Sequence, residues 1–302
     1  MKSDPALVMT VIAGPGAEAQ LADCADAIAA ALALRAAPDW LAGGRACDLA
    51  FEGIDATSAE TAARRAIGGA AIDLLVQPAA GRRKRVFVAD LEATTIENEM
   101  LDELADFIGR RAHVAEITRR AMNGEIDFTA ALAERVALLK GLPAAVLDEA
   151  AQRIRLMPGA RPLLTTLRAA GVRTVLVTGG FTVFAERVAA ELGFDEVVAN
   201  RLDIADGRIA GTITAPIVER EAKRDTLVAL ARRCGVPLEA TLAVGDGAND
   251  LPMLEAAGLG IAFHAKPAVA AISRWRIDHA DLTALLYAQG YREEEIVGDH
   301  RP

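Results

Sequence analysis

The chain has 302 residues, of which 52% are hydrophobic and 4% aromatic, and its formal net charge is −9. This length is enough to bury one large core or two smaller ones. The acidic balance argues against a broad contact with the phosphate backbone of DNA or RNA, so we expect no nucleic-acid partner.

The cysteines and the apolar runs indicate the cellular compartment of the protein. Cys24, Cys47 and Cys234 lie far apart and show no paired metal-ligand or redox spacing, so we expect no disulfide and a reducing compartment. The apolar run Ala6 to Ala13 is followed by Gly-Pro, which favours a first strand over a signal peptide. No apolar stretch approaches the roughly 18 residues of a spanning helix. We therefore expect a cytoplasmic protein with no membrane partner.

Residues 6 to 80 predict a small βαββαβ unit. The pattern predicts strands over 7–12 and 72–77, helices over 17–34 and 58–67, and a short strand pair around Gly43-Gly44. This is a ferredoxin-like α+β domain over 1–80. The basic run from Arg82 to Arg85 follows it, and we interpret that run as a solvated linker at a domain boundary.

From Val86 onward strands alternate with helices, the pattern of an α/β fold with a Rossmann-like parallel sheet. The predicted strands are 86–89, 174–177, 196–199, 242–244, 261–263 and 276–278. Residues 203–214 contain Asp206-Gly207 at their centre, which predicts a β-hairpin. The stretch of about 100–157 has apolar residues at helical intervals and is too long for a simple crossover, so it predicts an inserted helical cap.

Carboxylates follow two of the predicted strands. Asp90 and Glu92 come after the first strand of the sheet, and Asp246 and Asp250 come after the strand 242–244. Ligands in open α/β sheets bind beyond the carboxyl ends of the strands. Four carboxylates gathered there would repel one another unless a cation lay among them, and oxygen ligands favour Mg²⁺. Asp90 alone, or Asp246 alone, would be explained as a helix cap or a turn residue. Together the two aspartates predict a magnesium site.

A third strand end carries Thr178, Gly179 and Gly180, ahead of a predicted helix. A hydroxyl and backbone N–H groups at such a position can bind an anion, although a TGG turn taken alone is more often a tight loop. Lys223, taken alone, is a surface cation. The T-G-G turn and Lys223 indicate a phosphate site only in combination with the other motifs of the chain.

Taken in order, D-L-E-A-T, V-T-G-G, Lys223 and G-D-G-A-N-D resemble the haloacid dehalogenase (HAD) superfamily of phosphotransferases. The cap sequence and the segment around G-D-G-A-N-D are similar to the phosphoserine phosphatase family, over about residues 85–290. The resemblance implies a HAD phosphatase domain over 81–302. The N-terminal unit is similar to the ACT-like domain that often precedes such phosphatases.

The resemblance also implies roles for the site residues. Asp90 would attack phosphorus and form an aspartyl-phosphate. Mg²⁺ would be held by Asp90, the backbone carbonyl of Glu92, and Asp246. The phosphoryl oxygens would be bound by Thr178, the Gly179 N–H and Lys223, with Asn249 orienting the phosphate and Asp250 supporting either the metal or Lys223.

Glu92 would be the general acid and then the general base. Here the chain departs from the family, which normally has aspartate at this position, and a misplacement of about 1 Å can cost about 10²-fold in rate. Ala93 and Thr178 are smaller departures, because the family usually has serine at both positions.

Substrate recognition is implied for the cap, where Glu99 would face the substrate ammonium and Arg135 its carboxylate. The resulting prediction is Mg²⁺-dependent hydrolysis of O-phospho-L-serine in serine biosynthesis. Two alternatives stay open: a phosphatase or phosphotransferase for another small phosphometabolite, and a phosphoserine-binding sensor whose catalysis is degenerate because of Glu92. The sequence leaves a homodimer open as well.

Overall fold

The structure is a computed structural model that describes residues 6–123 and 125–298. The chain divides into two compact units. The N-terminal unit contains the chain up to Lys84, the segment Pro158–Ala170 and the chain from Trp275 onward, and the core unit contains Arg85–Met157 and Gly171–Arg274. The predicted domain limits, 1–80 and 81–302, stay a prediction.

Helices and strands alternate along most of the described chain. In chain order they are β1 (Leu7–Ala13), α1 (Leu21–Ala31), β2 (Asp39–Ala42), β3 (Ala46–Phe51), α2 (Ala56–Ile67), β4 (Ile72–Pro78), β5 (Val86–Ala89), α3 (Met100–Asp106), α4 (Arg111–Met122), α5 (Phe128–Ala137), α6 (Val146–Ala151), α7 (Ala160–Ala169), β6 (Arg173–Phe181), α8 (Thr182–Leu192), β7 (Glu196–Ala205), β8 (Arg208–Thr214), α9 (Arg220–Arg233), β9 (Thr241–Gly245), α10 (Leu251–Ala256), β10 (Leu259–Phe263), α11 (Pro267–Ala270), β11 (Trp275–Ile277) and α12 (Ala284–Ala288).

The N-terminal unit confirms the predicted βαββαβ order. Its antiparallel sheet runs β2-β3-β1-β4, with β1 paired to β3 on one side and to β4 on the other. Met9 and Val11 of β1 are fully buried in this core, and Val8, Thr10 and Ile12 on the opposite face of the strand are buried as well. The apolar sides of α1 and α2 complete this core.

The basic run after β4 is solvated only in part: Arg83 and Arg85 are exposed, as predicted, whereas Arg82 and Lys84 are bonded within the fold. Arg82 donates to both carboxylate oxygens of Asp48, at 2.5 and 3.1 Å, and to Thr10 Oγ1 at 2.8 Å. Lys84 is 8% exposed, and its amine donates to the carbonyl of Gly81. A guanidinium pairs with a carboxylate through two parallel bonds, and charge counts along a sequence cannot show that such a partner lies across the fold.

The core unit confirms the predicted parallel sheet. Its strands run in the order β10-β9-β5-β6-β7-β8, with parallel pairing from β10 to β7 and an antiparallel β7–β8 hairpin. Ala89 at the end of β5 pairs with Leu176 of β6 and with Val244 of β9. The three strands therefore end at the same edge, which is where the predicted polar residues follow them.

The predicted helical insert is also confirmed, because α3 to α6 lie between β5 and β6. The loop after α5 is bonded to the hairpin: Gly141 N–H donates to the carbonyl of Ile209, and Ile209 N–H donates to the carbonyl of Leu142. None of the helices in the described part of the chain is both long and apolar enough to cross a membrane.

Candidate active site

The loop after β5 is folded tightly around Asp90. The Asp90 N–H donates to the Val244 carbonyl of the neighbouring strand, and Thr95 Oγ1 donates to the Asp90 carbonyl. Thr95 N–H closes the turn on the carbonyl of Leu91. Ala93 adopts a left-handed φ of 51°, which a residue with a side chain adopts only at a cost of about 1 kcal/mol. The Asp90 side chain is thus held at the sheet edge and is buried.

The loop after β9 is held by Asp250. One of its carboxylate oxygens, Oδ2, accepts from the N–H groups of Asp246 and Gly247. Gly245 provides the space for this carboxylate, because a Cβ at position 245 would lie 2.3 Å from Asp250 Cγ. Asp246 and Asp250 are both buried, so the loop presents two fixed carboxylates next to Asp90.

Lys223 lies between Asp90 and Asp250. Its Nζ is 2.8 Å from Asp90 Oδ1 and 2.6 Å from Asp250 Oδ1, and the side chain is 1% exposed. Burial alone lowers the pKa of this amine, but the Asp250 and Asp90 carboxylates more than offset that effect and raise the pKa above its usual value. Lys223 is therefore a fixed positive charge at the base of the site, rather than the surface cation that its sequence context suggests.

The structure brings together three of the four carboxylates that the sequence predicted to converge. Oxygens of Asp90, Asp246 and Asp250 all lie within 4.8 Å of one another. Burial raises the pKa of Asp90 well above its usual range, and the Asp250 and Asp246 carboxylates add to that rise while Lys223 opposes it. Asn249 Oδ1 is buried beside them without a hydrogen-bond donor among the described residues. A set of buried oxygen donors with excess negative charge fits a hard divalent cation such as Mg²⁺.

The sequence did not single out Lys266, whose Nζ lies 2.9 Å from Asp246 Oδ2. Its backbone N–H also donates to the Asp246 carbonyl. Lys266 follows β10 in an otherwise ordinary H-A-K-P turn, and no local pattern distinguishes it from a surface lysine.

The turn of Thr178, Gly179 and Gly180 is buried at the end of β6. Thr178 Oγ1 accepts from the Gly180 N–H at 2.9 Å, so the hydroxyl is held in one direction. Asn200, which is 1% exposed, donates to the Gly179 carbonyl at 2.8 Å and accepts from the Val218 N–H at 2.7 Å. Asn200 thereby braces the turn against the segment that leads into α9 and Lys223. It follows the apolar residues of a strand, the same signal that identified Asp90.

Glu92 extends from the β5 loop towards this turn. Its Oε1 accepts from the Met100 N–H at 3.1 Å, and its Oε2 lies 3.5 Å from Thr178 Oγ1, which is too long for a strong hydrogen bond. The low-dielectric surroundings raise the pKa of the Glu92 carboxyl, and the Met100 amide and the Arg135 guanidinium only partly offset that rise.

Glu99 and Arg135 supply two further charges. Burial raises the pKa of Glu99 well above its usual range, and the nearby Glu92 and Asp246 carboxylates raise it further. Arg135 is 2% exposed; its Nε donates to the Ala131 carbonyl and its Nη1 to Thr118 Oγ1. Arg135 makes no ion pair with any described residue. Glu99 likewise makes no ion pair with a described residue, although Lys266 partly opposes the rise of its pKa.

One cavity connects these groups. Its walls contain every predicted site residue except Lys223 and Asp250, which pair with each other beside Asp90. The lining residues are Asp90, Glu92, Glu99, Leu101, Phe128, Leu132, Arg135, Thr178, Gly179, Gly180, Asp246 and Asn249.

Several known proteins are similar to this chain in sequence and in fold. The family model for haloacid dehalogenase-like hydrolases matches residues 87–255. The phosphoserine phosphatase SerB2 of Mycobacterium tuberculosis is 46% identical over 217 residues, which cover 72% of this chain and 53% of that protein. The phosphoserine phosphatase of Idiomarina loihiensis is 45% identical over 201 residues, covering 67% of this chain and 91% of that protein.

A solved structure gives the same result for the fold. A phospho-aspartyl intermediate analogue of a phosphoserine phosphatase aligns with a TM-score of 0.65 at 36% identity, covering 68% of this chain and 98% of that one. The chain spans about half the length of the mycobacterial relative, because the match covers 53% of it.

Proposed function

The chain belongs to the haloacid dehalogenase-like hydrolase family, and from this premise we propose that it hydrolyses O-phospho-L-serine to L-serine and phosphate through an aspartyl-phosphate on Asp90. The observation that carries the proposal is the meeting of Asp90, Asp246 and Lys223 at one edge of the sheet, at the base of a cavity that also contains Glu99 and Arg135.

Asp90 is the proposed nucleophile, and its hydrogen bonds favour one oxygen for the attack. Lys223 Nζ and the Leu91 N–H both bind Oδ1, at 2.8 Å each. Among the described residues no donor bonds Oδ2, so Oδ2 keeps its lone pairs for phosphorus. Covalent catalysis of this kind divides one difficult hydrolysis into two easier displacements.

Mg²⁺ is the proposed cofactor, held by Asp90, Asp246 and the Glu92 carbonyl. When bound, the ion offsets the repulsion between the phosphate and the carboxylates and polarises the phosphoryl group. Asp250 is proposed to hold Lys223 and the loop after β9 in place, because its two oxygens are already bound by Lys223 and by backbone N–H groups.

The phosphoryl oxygens are proposed to be bound by Thr178, the Gly179 N–H, Lys223 and Asn249. Fixed donors are effective here because they point to where charge develops in the transition state and do not reorganise during the reaction. The Asn200 brace and the buried position of Lys223 support this role, since both restrict the movement of the donors.

Glu92 is proposed to transfer protons: first to the departing serine oxygen, then from the water that attacks the aspartyl-phosphate. A positioned acid contributes typically about 10²-fold to 10⁴-fold when the leaving group is a poor alkoxide. The raised pKa of Glu92 supports this role, because it increases the protonated fraction near neutral pH.

Glu99 and Arg135 are proposed to select the amino-acid part of the substrate. A buried carboxylate whose pKa stays raised although Lys266 partly opposes the rise gains from a substrate ammonium, and a buried guanidinium without an ion pair gains from a substrate carboxylate. Phosphoserine carries both groups on one carbon, next to the phosphate ester.

A phosphate-release assay tests the proposal. Phosphoserine should release phosphate with Mg²⁺ and lose that activity with a chelator, and phosphothreonine, homoserine phosphate and sugar phosphates should react more slowly. A preference for another phosphate ester would overturn the substrate assignment. Stoichiometric phosphoserine binding with no phosphate release at high protein concentration would instead indicate a sensor. The place in serine biosynthesis, the cytoplasmic location and a homodimer stay predictions.

A further inference from the structure

The family's usual aspartate is replaced in this chain by Glu92, whose side chain is longer by one C–C bond, about 1.5 Å. The structure shows where the extra length goes. Glu92 Oε1 accepts from the Met100 N–H at 3.1 Å. Met100 is the first residue of α3, so its N–H has no acceptor within the helix, and the Glu92 carboxylate satisfies it.

The other side of the Glu92 carboxylate faces Gly180. A Cβ on Gly180 would lie 2.7 Å from Glu92 Oε2 and 3.1 Å from its Cδ. Gly180 is not among the glycines with a left-handed φ, so its backbone accepts alanine without strain. The absence of a side chain at position 180 therefore leaves space that the Glu92 carboxylate occupies.

We infer that Gly180 and the Met100 amide form a seat that holds the Glu92 carboxylate in the position for proton transfer. The inference rests on the proposed function and makes Gly180 a positioning residue. With the same backbone an aspartate at position 92 would stop short of the Met100 N–H and would leave a gap beside Gly180. The glutamate is thus fitted to its surroundings, and the replacement does not in itself imply lost catalysis.

A double-mutant cycle on kcat for phosphoserine tests the seat. In the parent, Gly180→Ala pushes the carboxylate out of position, and we expect kcat to fall by about 10-fold or more. In the Glu92→Asp background the shorter side chain leaves room for the Cβ, so the same change should cost less than about 3-fold. An equal fold-change in the two backgrounds would overturn the inference.

Gly179→Ala is the matched control. Its Cβ would meet the Phe128 ring, whose Cζ would lie at 2.5 Å, and its three nearest neighbours would all be atoms of that ring. Gly179→Ala should therefore lower kcat by the same factor with Glu92 as with aspartate at that position. If Glu92→Asp restored kcat in Gly179→Ala as much as in Gly180→Ala, the coupling would not be specific to the seat. That result would overturn the inference.

The urea unfolding midpoints of the same variants test the seat independently of the proposed function. If the parent released no phosphate from phosphoserine, the proposed function would fail, while the unfolding midpoints would still decide on the seat. Gly180→Ala should lower the midpoint more with Glu92 than with Glu92→Asp, and Glu92→Gln, which keeps the length, should behave like the parent. If Gly180→Ala lowered the midpoint equally with glutamate, aspartate and glutamine at position 92, the inference would be overturned.

Discussion

Replacing Lys223 by methionine removes the positive charge between Asp90 and Asp250 while keeping most of the side-chain volume. The amine is 1% exposed and contacts the two carboxylates at 2.8 and 2.6 Å. In Lys223→Met two buried carboxylates face each other with no cation between them. We expect a large loss of folding stability that depends strongly on pH.

The size of the loss follows from two estimates. At an effective dielectric constant of about 20 each ion pair attracts by about 6 kcal/mol, most of which is offset by desolvation, and breaking a buried pair typically costs about 3–5 kcal/mol. The variant can limit the loss if Asp90 takes up a proton. From an ordinary aspartate pKa of about 3.9, this uptake costs about 4 kcal/mol at pH 7 and about 1.5 kcal/mol at pH 5.

The sign of the pH dependence follows from the same reasoning. A carboxyl that is protonated in the folded variant has a folded-state pKa above its unfolded value, so its contribution to stability is lost as pH rises through the folded-state pKa. Burial raises the pKa of Asp90 in the parent as well, so the difference in unfolding free energy between parent and Lys223→Met should widen between pH 5 and pH 7 by at most about 2.5 kcal/mol.

Urea denaturation at the two pH values, with a chelator present, measures this difference. Lys140→Met is the matched control, because Lys140 is exposed and makes no ion pair with any described residue; its effect should stay within about 0.5 kcal/mol at both pH values. A loss below about 1 kcal/mol for Lys223→Met at pH 7, or a loss that does not shrink at pH 5, would show that Lys223 does not stabilise the two buried carboxylates in this way.

Three further predictions concern substrate selection, turn geometry and thiol reactivity. Arg135→Met should raise KM for phosphoserine by about 10-fold to 100-fold and hardly affect phosphoethanolamine, which lacks the carboxylate; equal effects on both would contradict the assignment. Asn200→Leu leaves three buried backbone groups without their partner and should lower the unfolding free energy by about 3 kcal/mol in a urea titration; a loss below about 1 kcal/mol would contradict the brace. Ellman's reagent should label only Cys234 in the folded protein, since Cys24 and Cys47 are buried and burial raises the pKa of Cys47 to about 12; rapid labelling of a second thiol would contradict the packing.

The residues of the site that were predicted from sequence share one physical signal. Asp90, Thr178 and Asp246 each follow a short run of apolar residues that forms a buried strand. Parallel strands end at a common edge, so the polar residues after them meet there whatever the rest of the fold does. The fold class and the convergence of the carboxylates were predictable for this reason.

The residues that sequence reasoning missed depend on partners far away in the chain. Arg82 pairs with Asp48, and Lys266 pairs with Asp246, and neither cation stands in a pattern that distinguishes it from a solvated one. Asn200 carried the strand-end signal, but its partners, the backbone groups of residues 179 and 218, have no side-chain signature. Such pairings are fixed by the three-dimensional packing and appear only in the structure.

In the proposed mechanism Asp90 carries the phosphoryl group during turnover. Rapid acid quenching with phosphoserine and Mg²⁺, followed by peptide mass spectrometry, tests it directly. The parent should show a phosphorylated peptide with the modification on Asp90, and Asp90→Asn should show none and release phosphate at least about 10⁴-fold more slowly. An Asp90→Asn variant that turns over like the parent, or a phosphoryl group found on another residue, would contradict the claim.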